Sequence, residues 1–232
     1  MLGFGGGNYN DHLAEQLANK GNGNYFYIDT TEEVRKVLVD QLASTVLTIA
    51  EDVKIQVEFN PAVVEEYRLI GYENRLLARE DFNNDRVDAG EIGAGHNVTA
   101  LYEIALVGSG GAASDPLRYG DAATGTPRGD ELGFLRLRYK QPGETRSRLI
   151  EQPLSQAAIQ SAPGPRLRLA AAVAAFADAL RGGKHLGEWQ LADVRELAAS
   201  VPADRHGYRV GLVALIGKAQ SLSAQHAGHP QD

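Results

Sequence analysis

The sequence predicts an α+β fold whose three parts follow one another along a chain of 232 residues. Helix and strand patterns alternate over residues 1–45, strand patterns dominate 46–155, and helical spacing returns over 160–225. With 43% hydrophobic and 23% charged residues, the composition is that of an ordinary globular protein. We therefore expect a truncated α/β segment, an antiparallel β-sandwich-like module and a C-terminal helical cap.

The first part, residues 1–45, alternates between strand and helix signals. Short apolar runs at 2–4 and 25–28 predict two strands, with a helix between them whose start Asn10 or Asp11 can cap. Thr30 and Glu33 form the pattern of a capping box and predict the start of a second helix. A parallel sheet needs several strands covered on both faces, yet only two strands are predicted here. This part is therefore expected to be the remainder of a larger α/β domain.

Both helices of the first part are predicted to bury an apolar face. Leu13, Leu17 and the alanines that flank them recur at helical spacing in the first helix, which predicts that they form its apolar face. The second helix carries a stripe with a single polar member, Gln41. The other members of that stripe are Val34, Val37, Leu38 and Leu42.

The second part, residues 46–155, changes to a period of two. Apolar and polar residues alternate strictly from Val53 to Phe59, which indicates a strand with one buried and one solvated face. Turn residues separate the further candidates, as in an antiparallel sandwich. Residues 108–129 are rich in small residues and proline, and they predict a mobile loop. The further strands are predicted at 66–72, 97–107, 132–141 and 147–152.

The third part is predicted to contain three helices. The first begins at Pro165 and ends at the glycine pair 182–183, and the others cover 190–200 and 208–222. Trp189 is expected to anchor their shared core, because large aromatic residues contribute most to burial in small helical units. The last helix is expected to bury Tyr208, Leu212, Leu215, Ala219 and Leu222.

Composition excludes several functional classes. The chain has no cysteine, so disulfides, thiolate zinc sites and cysteine nucleophiles are absent. A net charge of −7 argues against a general nucleic-acid binder, which needs a basic surface. No apolar stretch approaches the ~18 residues of a membrane span, and Met1 does not open a signal peptide. We therefore expect a soluble chain, whose compartment the sequence does not specify.

Catalytic motifs are missing from the sequence. It contains no Gly-x-Ser-x-Gly elbow, no His-Glu-x-x-His pair and no P-loop. The glycine-rich opening departs from a dinucleotide fingerprint, because Asn8 stands at the third glycine position. We predict no catalytic and no cofactor-binding residue. Arg136, Arg138 and Lys140 alternate along one predicted strand, and this basic strip is interpreted as a solvated face that protects a sheet edge.

Residues 81–91 are the candidate metal site, because oxygen-bearing residues at alternate positions can converge on calcium. Two departures from a calcium loop stand against it: Arg86 occupies the glycine position, and Ile92 occupies the position of the bidentate glutamate. The alternative is an acidic loop whose Asp and Asn side chains accept from nearby backbone amides. The tentative calcium ligands are Asp81, Asn83, Asp85, Val87, Asp88 and Glu91.

Several motifs give the chain a family resemblance. The motifs LGFG at 2–5, NYND at 8–11 and LANKGNGNY at 17–25 resemble the last third of a von Willebrand factor type A domain. The similarity continues into a region of no assigned function that follows this domain in a group of bacterial proteins. That continuation rests on residues 53–59, the motif YRLIGYENR at 67–75, the 81–91 loop and the motif TALYE at 99–103.

The resemblance implies a function in binding. The metal-ion-dependent adhesion site of type A domains lies earlier in that fold than the strand at 2–4, so none of its residues maps to this chain. We expect a non-catalytic protein-interaction or assembly module, with a protein partner, from a family of the bacterial envelope or periplasm. One alternative is a structural spacer stabilised by calcium at 81–91. Another is a metal-dependent hydrolase that uses Asp81, Asp85, Asp88 or Glu91.

Overall fold

The structure is a computed structural model that describes residues 1–5, 10–21, 23–71, 77–114 and 130–227. The chain is α+β, with antiparallel sheets and a helical C-terminal part, which confirms the predicted class. Its strands are β1 (Leu2–Phe4), β2 (Phe26–Ile28), β3 (Thr48–Phe59), β4 (Val64–Ile70), β5 (Gly90–Gly93), β6 (Leu101–Leu106), β7 (Glu131–Lys140) and β8 (Arg148–Ser155). Its α-helices are α1 (Asp11–Lys20), α2 (Thr31–Arg35), α3 (Leu42–Val46), α4 (Pro165–Leu180), α5 (Leu191–Ala199) and α6 (Tyr208–Ala227).

The contacts within the chain divide it into two compact units. One contains residues 1–64, 73–98 and 118–155, and the other contains 65–72, 99–117 and 156–232. The units do not coincide with the three parts predicted from the sequence. The first unit combines the α/β segment with the larger sheet, whereas β4 and β6 belong mainly to the unit that contains the helices α4, α5 and α6.

The α/β segment begins with β1 and β2, which pair in parallel and place residues 2–4 opposite 26–28. Helix α1 begins where predicted, because the Asn10 side chain accepts a hydrogen bond from the Leu13 amide at 3.0 Å. The Thr30 hydroxyl caps α2 in the same way. A turn of π-helix at Lys36–Asp40 follows α2. The glycine-rich opening at 6–9 lies outside the described residues.

The apolar face predicted for α1 is confirmed at its alanines and wrong at its leucines. Ala14 and Ala18 are the buried residues of this helix. Leu13 and Leu17 are 50% and 55% exposed. Ala14 and Ala18 lie four residues apart and so share one side of α1, one residue on from the leucines. Of the stripe predicted for the second helix, Val37 alone is fully buried.

The larger sheet has four strands in the order β5–β3–β7–β8, all antiparallel to their neighbours. The strand predicted at 53–59 is confirmed and starts earlier, at Thr48. Lys54 lies directly opposite Arg138, and Arg138 lies opposite Leu149, so these three residues share one face. Strand β5 was not predicted, because its sequence overlaps the end of the candidate metal loop.

Strands β4 and β6 form a separate two-stranded sheet. Arg68 on β4 and Glu103 on β6 form an ion pair between the two strands. The Glu66 carboxylate accepts hydrogen bonds from the amides of Ala113 and Ser114 at 2.8 and 3.1 Å. These bonds anchor the start of the predicted loop at 108–129, of which residues 115–129 lie outside the described part of the chain.

Helices α4, α5 and α6 pack around a core of small and medium side chains. Trp189 is 45% exposed and is not part of this core, so the prediction that it anchors the helices is wrong. Medium-sized residues such as Ile216 fill the space between helices that approach closely. The buried members are Ala172, Phe176, Val194, Ala198 and Ile216. Within the described residues, no helix is both long enough and apolar enough to cross a membrane.

Gly93 brings β5 and α3 together in the first unit. A Cβ atom at this position would lie 1.6 Å from the Ser44 carbonyl oxygen, and the other nearest atoms also belong to the Ser44 backbone. We expect Gly93→Ala to lower the free energy of unfolding by about 3 kcal/mol, measured by urea denaturation. Gly23→Ala is the matched control, because its nearest contact would lie at an ordinary 3.6 Å. Equal stability of the two variants would contradict this packing.

Candidate functional site

Three cationic side chains share one face of the four-stranded sheet. They are Lys54 on β3 and Arg138 and Lys140 on β7. The segment from Arg79 to Ala89 covers this face and begins with a turn of 3₁₀ helix, Arg79–Asn83. We call residues 79–89 the clamp loop. Its single fully buried side chain in the 3₁₀ turn, Phe82, lies under the Arg138 guanidinium at 5.6 Å from the ring centroid.

Lys54 is buried beneath the clamp loop and is only 4% exposed. Its ammonium donates to the carbonyl oxygen of Asn84 at 2.5 Å and, at a longer 3.3 Å, to that of Asp81. A buried ammonium needs acceptors, since losing its hydration is costly. The backbone of the loop supplies them, and this arrangement fixes the loop over the sheet.

Asp52 occupies a bulge of β3. The register with β7 shifts between Glu51 and Lys54, and Asp52 has a φ of +50°, a left-handed conformation that few residues other than glycine adopt. This conformation directs its carboxylate to two partners. Oδ2 accepts from the Lys140 ammonium at 2.5 Å, and Oδ1 accepts from the Ala89 amide at 3.1 Å.

Lys140 connects this bulge to the clamp loop. Its side chain is 12% exposed, and its ammonium also donates to the Asp85 carbonyl oxygen at 2.7 Å. The Asp85 carboxylate in turn accepts from the Ser147 amide at 3.2 Å. The Ser147 hydroxyl accepts from Arg138 at 3.0 Å. The loop is therefore tied to β3, to β7 and to the turn before β8.

The charges of the site stabilise one another. Burial by itself would raise the pKa of Asp52, but hydrogen bonds from Lys140 and the Ala89 amide outweigh it and lower the pKa. Hydrogen bonds from Ser147, with smaller contributions from the charges of Lys140 and Arg138, lower the pKa of Asp85. The hydrogen bond to Asp52 raises the pKa of Lys140. Each group is therefore held in its charged form near neutral pH.

The predicted calcium ligands take several different positions. Asp81 and Asp85 direct their carbonyl oxygens to lysines, whereas Glu91 lies on strand β5. The Val87 amide donates to the Asn84 carbonyl, and Asn83 and Asp88 are exposed. Within the residues that the structure describes, no three His, Cys, Asp or Glu side chains form a group that could hold a metal ion. Calcium binding itself stays a prediction.

Sequence reasoning did not identify Asp52, Lys54 and Ser147 as members of the site. A lysine at a polar position of an alternating strand carries no signal for burial, because the face that the loop covers is not encoded locally. The basic strip was noticed but misinterpreted. Strand β7 lies between β3 and β8, so Arg138 and Lys140 do not protect a sheet edge. Arg136 is the member that pairs with an exposed partner, Glu151, at 3.3 Å.

The site offers polar contacts that hold the loop against the sheet. An open depression of about 460 Å³ lies next to it, lined by residues 143–148 of the turn before β8. None of Asp81, Asp85, Asp88 and Glu91 lines this depression.

Comparison with known proteins identifies the family. The family model described as "Uncharacterized protein YfbK, C-terminal" matches residues 44–222. The chain belongs to this YfbK C-terminal family. It is 42% identical over 225 residues to the uncharacterized protein YfbK of Escherichia coli K12, a match that covers 96% of the chain and 39% of that relative. The chain thus spans about two fifths of the relative's length. No solved structure matches it.

The clamp loop lies inside the region that the family model matches. The charged state of Asp85 in this loop predicts that the stability of the fold depends on pH. The pKa of Asp85 is below its ordinary value of 3.8, so its ionised form stabilises the fold above about pH 5. This contribution is lost as the pH falls from there through the lowered pKa. We expect Asp85→Asn to cost about 1 kcal/mol at pH 7, since solvent screens a half-exposed carboxylate, and to cost less at pH 3.

Urea midpoints measured from pH 3 to 7 test this expectation. Glu80→Gln removes an exposed carboxylate from the same loop and should leave the pH dependence unchanged. If Asp85→Asn and the parent chain lose stability in parallel as the pH falls, the Asp85 carboxylate does not contribute to the closed loop.

Proposed function

We propose that the chain is a non-catalytic protein-interaction or assembly module, and that it is the C-terminal part of a bacterial type A domain protein. Two findings support this assignment. The matching family model describes a C-terminal region, and the relative extends well beyond the match. The motifs of residues 2–29 resemble the end of a type A domain, and β1, α1 and β2 follow one another there in the order of such a fold.

The observation that carries the proposal is the exposed apolar surface of residues 1–49. Nearly half of the large hydrophobic side chains that are exposed in the described chain belong to this segment. Exposed apolar side chains are the groups that a protein partner would cover, so they support an association role for this segment. The exposed side chains are Met1, Leu2, Phe4, Leu13, Leu17, Tyr27, Val34, Leu38, Val39, Leu42, Val46, Leu47 and Ile49.

The chemistry of the clamp loop supports a binding role over catalysis. The Asp52 carboxylate pairs with the Lys140 ammonium beneath the loop, and the Asp85 carboxylate accepts from the Ser147 amide. Catalysis of acyl transfer or hydrolysis needs a nucleophile next to a base, or a metal that activates water. A protein partner in the bacterial envelope or periplasm is part of the proposal and rests on the family resemblance alone.

Photo-crosslinking in the source cell tests the proposal. A photoreactive residue replaces Leu13 in the full chain, and the adducts are identified by mass spectrometry. We expect one discrete protein adduct. We also expect Leu17→Asp to reduce it at least about tenfold, because a buried charge in an apolar interface costs more than 1 kcal/mol.

Val210 provides the matched control. It lies on α6 and is 60% exposed, so a photoreactive residue there samples an equally accessible apolar position. We expect no discrete adduct from this position. Adducts of the same pattern from both positions, or none from Leu13, would show that residues 1–49 are not the interaction surface.

A further inference from the structure

The clamp loop turns its backbone carbonyl groups inward, toward the sheet. Those of Asp81 and Asn84 accept from the Lys54 ammonium, and that of Asp85 accepts from Lys140. The Asp52 carboxylate completes the acceptors around Lys140. Carbonyl oxygens that converge from one loop repel one another unless a cation or hydrogen-bond donors lie among them, and here the lysine ammonium groups take that position.

A calcium loop meets the same requirement with a metal ion. It converges carbonyl and carboxylate oxygens on a cation at 2.3–2.6 Å. In the clamp loop the inward oxygens lie 2.5–3.3 Å from ammonium nitrogens, which are hydrogen-bond distances. The positive charge therefore comes from the lysine side chains of the sheet and not from a bound ion.

The departures of the loop from a calcium-binding sequence agree with this reading. Arg86 is exposed at the position where calcium loops carry glycine, and its amide donates to the Asn84 side chain at 3.1 Å. The turn is thus made by an Asn side chain rather than by glycine. Ile92, at the position of the bidentate glutamate, belongs to strand β5 and pairs with Ala50.

We propose that Lys54 and Lys140 are built-in cations of the clamp loop. They hold residues 79–89 in a closed conformation and make that conformation independent of divalent metal ions. Asp52 is a positioning residue in this arrangement, because its left-handed backbone aims the carboxylate that orients Lys140. This inference goes beyond the proposed interaction function and does not depend on any partner.

Hydrogen–deuterium exchange of the full chain tests the proposal, with the peptides that cover residues 77–90 as the readout. In the parent chain we expect equal protection in EDTA and in millimolar calcium. Lys54→Met and Lys140→Met keep most of the apolar stem and remove the charge. Each should raise the exchange rate of these peptides at least about tenfold, since hydrogen bonds to charged groups contribute that much to closing.

Two further variants separate this effect from general damage. Arg136→Met removes a cation from the same face of β7, but its partner is Glu151 outside the loop, so loop exchange should not change. Asp52→Asn tolerates the left-handed backbone and keeps an acceptor for the Ala89 amide while removing the charge. It should accelerate exchange in the loop while its circular dichroism spectrum remains that of the parent. This variant therefore tests the proposal even if a lysine variant fails to fold.

Two results would overturn the proposal. Slower exchange of the parent loop on addition of calcium would mean that a metal ion completes its closed form. Unchanged protection in a folded Lys54→Met, Lys140→Met double variant would mean that the ammonium groups are not what closes it. Neither result depends on the crosslinking experiment, so this inference and the proposed function fail independently.

Discussion

Placing Lys54 opposite Arg138 on one sheet face is the constraint on which the first unit depends. Like charges directly opposite each other on neighbouring strands repel, and burial adds the loss of hydration. The structure compensates both costs with the clamp loop, which supplies carbonyl oxygens to Lys54 and an aromatic face to Arg138. The loop leads directly into β5, whose Gly93 lies against α3. Removing the cations would leave the loop without its main attachment.

The strained residue of this unit is explained by the same constraint. A left-handed conformation at a residue other than glycine costs of order 1–3 kcal/mol. Asp52 is the described residue other than glycine with a positive φ, and it is also the residue that joins Lys140 to the Ala89 amide. Aspartate tolerates this conformation better than a bulky side chain, and its two oxygens serve both donors. The strain at the bulge is therefore offset by the contacts of the Asp52 carboxylate with Lys140 and the Ala89 amide.

The sequence predicted what depends on local pattern. Strict alternation located β3, and capping residues located the starts of α1 and α2, because both signals act within a few residues. The sequence-based predictions were wrong where burial depends on how the elements pack against one another. Leu17 and Ala18 are neighbours in sequence, and the local pattern does not specify which of the two is buried. Trp189 likewise lies outside a core that closely spaced helices fill with smaller residues.

The clamp loop shows why a cation-binding pattern in a sequence does not identify its cation. Lys54 and Lys140 are bound by backbone carbonyl oxygens of Asp81, Asn84 and Asp85, which any residue type could supply. Whether such a loop binds a metal ion or an ammonium group is decided by residues far away in the chain. Lys54 precedes Asp81 by 27 residues, and Lys140 follows Asp85 by 55. A local motif contains neither lysine, so the distinction requires the register that places β3 and β7 side by side beneath the loop.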